Sequence, residues 1–239
     1  MKTMFAAVSL VGAALIATAA PATITASFEA PGVQQTTQTV IGKDVVTFDT
    51  MSGWVGSGNI FSGTISGTIT NGGFNIGGAN IYGGAGGTGN FATVYNITTI
   101  KLSQAVTYAG LWASAIDGDF TSTLGNTVAL YSGDTLLGSF ALKPLLAGAS
   151  NAYYGNPNSN FSGADSSEPF AFFNFDSTAG FDRIDITQNG GGGFELDNVT
   201  IGNTPGAVPE PASWALMIIG FGATGALLRS SRRKKAVLS

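Results

Sequence analysis

Neither cysteine nor histidine occurs among the 239 residues. Without thiols there is no disulfide framework and no thiolate metal site. Without imidazole there is no Ser-His-Asp or Cys-His nucleophile and no His-ligated metal. Charge is scarce too, at 10% of residues against about a quarter in ordinary globular domains, which excludes a charge-laced helical protein. What is abundant is glycine, at 35 positions. Around it Thr, Ser and Asn alternate with Val, Ile, Phe and Tyr, a composition suited to short strands and tight turns.

The formal charge of −4 hides an asymmetry. Five of the ten bases, Arg229, Arg232, Arg233, Lys234 and Lys235, crowd the last eleven positions. Between residues 23 and 208, four bases face thirteen acids, a formal charge of −9. Such a surface repels phosphate backbones, so nucleic acid is excluded as a partner, and cations or neutral polymers suit it better.

Both ends read as processing segments. Lys2 opens a short positive region, Phe5 to Ala17 carries no charge, and small residues follow through Ala22. This is the pattern of a cleaved secretory signal peptide, assigned to residues 1–22. At the other end, residues 212–228 form an apolar span that as a helix would cover about 25 Å at 1.5 Å per residue, near the ~30 Å hydrocarbon core. Trp214 stands where an interfacial anchor belongs, and the basic tail at 229–235 marks the cytoplasmic side. One C-terminal transmembrane helix is expected. The prolines flanking Glu210 keep that stretch extended and open to an enzyme.

Pro209, Glu210 and Pro211, then Trp214 and Ala215, an apolar span and a basic end resemble the PEP-CTERM sorting signal in its PEPxxWA variant. The resemblance covers residues 205–239. It implies an exosortase as partner, transient membrane anchoring, delivery to the cell surface or extracellular matrix, and association with exopolysaccharide and biofilm.

Residues 23–204 remain as the exported domain, an all-β, antiparallel β-sandwich by expectation. Val45 to Phe48 reads as a strand, and Phe61 to Thr70 alternates with period two before an Asn71-Gly72 turn. Further runs are Phe91 to Lys101, Ala105 to Ala113, Thr127 to Tyr131, Thr135 to Leu142, Phe170 to Phe175, Phe181 to Thr187 and Phe194 to Ile201. Ser132-Gly133-Asp134 makes a hairpin turn. The glycine-rich stretch 71–90 lacks the Lys-Ser/Thr ending and following helix of a phosphate loop. It reads as a surface loop, as does 151–167.

Two fainter resemblances bear on the domain. Tyr108 to Asp117, followed by Asn126 to Asp134, is similar to a pattern in PEP-CTERM ectodomains, interrupted here by Asp119 to Thr123. The strand Phe194 to Val199 looks like the last strand of carbohydrate-binding jelly rolls, where a Glu near the N-terminus and an Asp in the last strand hold structural calcium. The matching positions are Glu29 and Asp197. Strand parity adds that Asp197 shares a face with Val199 and Ile201, which would bring a carboxylate to the core and call for a cation or several hydrogen-bond donors. A bulge would shift that parity.

Three functions follow. The first is a non-catalytic surface protein contacting polysaccharide through exposed aromatics: Tyr153 and Tyr154 in the polar loop, with Trp54 and Trp112 as further candidates. The second is a structural or adhesive envelope protein without a defined ligand. The third is a glycoside hydrolase using paired carboxylates such as Asp117 and Asp119.

Overall fold

The computed structural model describes residues 22–118, 125–190, 192–205 and 220–222. Ala22–Ala207 form one compact unit, and it is all-β. Its strands are β1 (Ile24–Phe28), β2 (Ile41–Val46), β3 (Gly53–Val55), β4 (Gly58–Asn59), β5 (Gly67–Asn71), β6 (Phe74–Gly78), β7 (Asn90–Val94), β8 (Ile97–Ser114), β9 (Gly125–Ser132), β10 (Thr135–Ala141), β11 (Ala171–Asn189) and β12 (Phe194–Asn203). A single helical turn, α1 (Leu142–Leu145), follows β10.

Every pairing is antiparallel, and the twelve strands join in one hydrogen-bonded network with the path β10-β9-β11-β8-β12-β7-β6-β3. Its spine is the long pair β8–β11. Near Asp176 to Arg183 the register slips twice, and bulges of this kind bend a strand. The pair therefore changes neighbours along its length. The end with Phe172 and Trp112 is flanked by β1 and β12, and the end with Ile184 and Ile100 by β9 and β5. The runs expected at Phe170 to Phe175 and Phe181 to Thr187 are thus one bent strand. Likewise Phe91 to Lys101 divides between β7 and β8.

The period-two run from Phe61 is shorter than expected. Only Gly67–Asn71 pairs, because Phe61 and Ile65 turn into the core from an irregular segment. The glycine-rich stretch holds β6 as well as a loop. The hairpin at Gly133 forms as expected, whereas at Asn71-Gly72 the chain only bends from β5 into β6, which do not pair with each other; each glycine has positive φ. A Cβ on Gly72 would also strike the Ile97 carbonyl.

One large core lies on the inner face. It takes Leu111, Ala113, Phe173, Phe175, Leu196, Ile201 and residues from every other long strand. The opposite face of the same strands carries a second, smaller cluster of Trp112, Ala115, Phe170 and Phe172. Apolar residues on both faces imply a cover over the second one, and loops supply it. Asn158 Nδ2 donates to the Gly84 carbonyl at 2.6 Å and its Oδ1 accepts from Gly86 N at 2.8 Å. Asn156 reaches the carbonyls of Asn80 and Ile81, and Asn160 that of Gly87. The two segments read as loose loops are therefore knitted together by alternate asparagines.

Candidate functional site

On the loop-covered face, strand register sets four residues in a row. Glu29 N donates to the Phe172 carbonyl, Phe172 pairs with Trp112, and Trp112 pairs with Asp197. Cross-strand partners share a face, so two carboxylates end a row whose middle is two buried aromatics. Three strand spacings separate them, about 14 Å at roughly 4.8 Å each. They cannot share one ion.

Glu29 is 8% exposed and fully engaged. Oε1 accepts from Thr37 N and Asn174 Nδ2, both at 2.9 Å, and Oε2 accepts from the Thr37 hydroxyl at 2.7 Å. Burial alone would raise its pKa, but hydrogen bonds from Thr37, Asn174 and Thr36 together outweigh burial and lower it. Asn174 is oriented in turn by the Tyr108 hydroxyl, which donates to its Oδ1 at 2.6 Å.

Asp197 is 3% exposed and has fewer donors. Oδ2 accepts from Ala85 N at 2.9 Å and Oδ1 from Asn198 N at 2.7 Å. Burial pushes its pKa up to about 7, against these two amides and with a small further push from Asp49. The expectation that it shares a face with Val199 and Ile201 is corrected here. A register shift falls between Asp197 and Thr200, and Asn198 takes a left-handed φ of 50°. That bulge turns Asp197 onto the Trp112 face while Val199 and Ile201 stay in the main core. Among the described residues no group of three carboxylates could hold a metal ion. Glu29 and Asp197, the positions matched to the jelly-roll calcium ligands, stand at opposite ends of the row, each with its own donors.

A cluster that sequence reasoning missed lies next along this face. Glu195 pairs with Ser114, two residues beyond Trp112. Burial pushes Glu195 up to about 7, with Asp117 and Asp165 adding repulsion. Burial also leads the rise of Glu168 to about 8, followed by the neighbouring Asp165 carboxyl and the charges of Asp117 and Glu195. Ser114 Oγ and Asp165 Oδ2 are buried there without a hydrogen-bond partner. Asp117 is held differently: its Oδ2 accepts from Gln188 Nε2 and Gly192 N, each at 3.0 Å. Asp119, its expected companion, lies outside the described residues.

The aromatic candidates separate cleanly. Trp112 is fully buried. Tyr153 is 9% exposed, its hydroxyl donates to the Glu29 carbonyl at 2.8 Å, and its ring meets Phe28 edge-on at 5.3 Å. Tyr154 bridges to Pro169 and packs on the core. The loop's polar composition misled for Tyr153 and Tyr154, because a 3-10 turn at Asn151–Tyr153 folds both rings inward. Trp54, by contrast, is 62% exposed.

The sorting residues Pro209, Glu210, Pro211, Trp214 and Ala215, and the bases Arg229, Arg232, Arg233, Lys234 and Lys235, lie outside the described residues, as does all of the 1–22 signal segment except Ala22. Within the expected span only residues 220–222 are described, and they are helical. Among the described residues no helix is long and apolar enough to cross a membrane.

Fold and site thus define an all-β domain with a loop-covered polar face. The chain carries a second, separate feature: residues 207–234 match the family model of the PEP-CTERM protein-sorting motif. Those residues carry a sorting motif of that kind, a signal for export, exosortase processing and targeting to the cell surface. No curated protein and no solved structure matches the chain.

Proposed function

We propose that this is a non-catalytic surface protein whose β-domain contacts polysaccharide in the cell-surface or biofilm matrix, after transient anchoring through its tail. The observation that carries the reading is Trp54, a large indole left 62% exposed on a unit with a formal charge of −9. An exposed aromatic face is suited to stacking on the apolar face of a sugar ring. The acidic surface disfavours nucleic acid.

Two measurements test it. Co-expression with an exosortase should release the tail from the wild type and not from a chain with Pro209, Glu210 and Pro211 replaced by alanine. The purified Ala22–Ala207 unit should be retained on exopolysaccharide without releasing reducing ends. Steady reducing-sugar release, lost in Glu195→Gln, would establish the hydrolase reading instead, with a raised carboxyl as general acid. Self-association without retention would favour the adhesive one.

A further inference from the structure

Trp54 does not stand free of the sheet. A Cβ built on Gly56 would fall 2.5 Å from its Nε1, and one on Gly73 2.8 Å from its Cζ2. The indole therefore lies down over two glycines, which accept it because they have no side chain. One ring face meets backbone and the ring as a whole stays largely exposed. Trp54 is the cross-strand partner of Asn75. Asn75 is exposed, and its amide makes no hydrogen bond among the described residues. Two residues on, a Cβ at Gly77 would meet nothing within 4 Å.

Strand parity puts Gly73, Asn75 and Gly77 on one face. Together they form a strip about 13 Å long at roughly 3.3 Å per residue: an aromatic ring, a free amide, then bare backbone. The Ile81–Tyr82 turn lies beside its far end, because Gly83 packs against Phe91 and Phe91 is the partner of Gly77. Tyr82 is 49% exposed. Across the sheet from Asn75 the row continues through Thr93 to Glu195, an acid on the side away from Trp54.

Resting on the polysaccharide reading above, we infer that the Trp54–Asn75–Gly77 strip is the binding site and that its ligand is a short stretch of neutral polysaccharide. The indole stacks on one sugar ring, the Asn75 amide donates to and accepts from hydroxyls, and the Gly77 floor leaves room for the next ring. Neutral rather than acidic sugar follows from Glu195 at the end of the row and from the excess of acids over bases across the unit.

Affinity electrophoresis of the Ala22–Ala207 unit tests this, with dextran, amylose and hydroxyethyl cellulose as neutral probes and alginate as the acidic one. The wild type should be retarded by at least one neutral polymer and not by alginate. Trp54→Ala and Asn75→Ala should each weaken retardation at least tenfold with an unchanged melting temperature. Gly77→Val should also abolish it: the position has open space and lacks the positive φ that would strain valine. Retardation of the wild type that survives Trp54→Ala and Gly77→Val overturns this site while leaving the polysaccharide reading standing. No retardation on any polymer, or dimerisation lost in Trp54→Ala without sugar binding, overturns both. Retardation by alginate alone overturns the neutral-ligand assignment.

Discussion

Glu29 and Asp197 are carboxylates at opposite ends of one row, both shielded from solvent, Asp197 the deeper of the two, and oppositely tuned. Three donors meet Glu29, one of them an amide already oriented by the Tyr108 hydroxyl. Asp197 receives two backbone amides from a loop and a bulge. Burial acts on both, and at Glu29 the hydrogen bonds outweigh it while at Asp197 they do not. Depth and donors act together on a buried acid's charge: the deeper Asp197 also has the fewer donors.

Removing the better-served acid should have the largest effect. Glu29→Ala leaves the buried Asn174 Nδ2 without an acceptor and removes the acceptors of the Thr37 amide and hydroxyl, and an expected loss of roughly 2–4 kcal/mol would appear in urea unfolding. A loss below about 0.5 kcal/mol would show that the loop rearranges freely and the contrast is not built in.

The pH dependence comes next. The folded pKa values of Glu195 and Glu168, about 7 and about 8, lie above their ordinary 4.5. The folded state then binds more protons, so stability is full below about pH 4.5 and falls as pH rises through 7 to 8. Glu29, being lowered, acts in the other direction: its contribution is present above pH 4.5 and lost as pH falls below it. Thermal melts should peak near pH 5, and Glu168→Gln with Glu195→Gln should flatten the alkaline side only.

Smaller still, Asp197→Asn keeps an acceptor for Ala85 N and removes the ionisation. A gain of about 1–2 kcal/mol at pH 8 and little change at pH 5 is expected. An equal loss at both values would mean that the carboxylate is needed in charged form. Least of all, Ser114→Ala deletes a buried hydroxyl without a partner, and a gain of up to about 1 kcal/mol should show at every pH.

Much of the architecture was legible in the chain. Strands β8 to β12 are long and apolar, and their turns carry Asn-Gly or Ser-Gly-Asp. The short strands were not. β3, β4 and β6 hold glycine at or near their ends and are too brief for periodicity, and β1 merges with the signal segment's small residues. The site was harder for a different reason. Glu29, Phe172, Trp112 and Asp197 become neighbours only through pairing across β1, β11, β8 and β12. Asn198 then inverts the parity that had placed Asp197 toward the core. Glu168 and Glu195 carry no local motif, and their shifts come from burial and from one another. The tail could be read directly, because its recognition depends on residues in order along the chain.

The bent β8–β11 spine has a consequence for the timing of export. Ile24–Phe28 must wait for Phe173 to Ser177 before it has a partner, nearly 150 positions later, and β2 waits for β12. Contacts of such separation form slowly. A chain threaded outward from its N-terminus cannot complete its sheet until β12 emerges. The sorting motif at 207–234 follows β12 directly in the chain, so the sheet is complete only once nearly everything before that motif is available to pair.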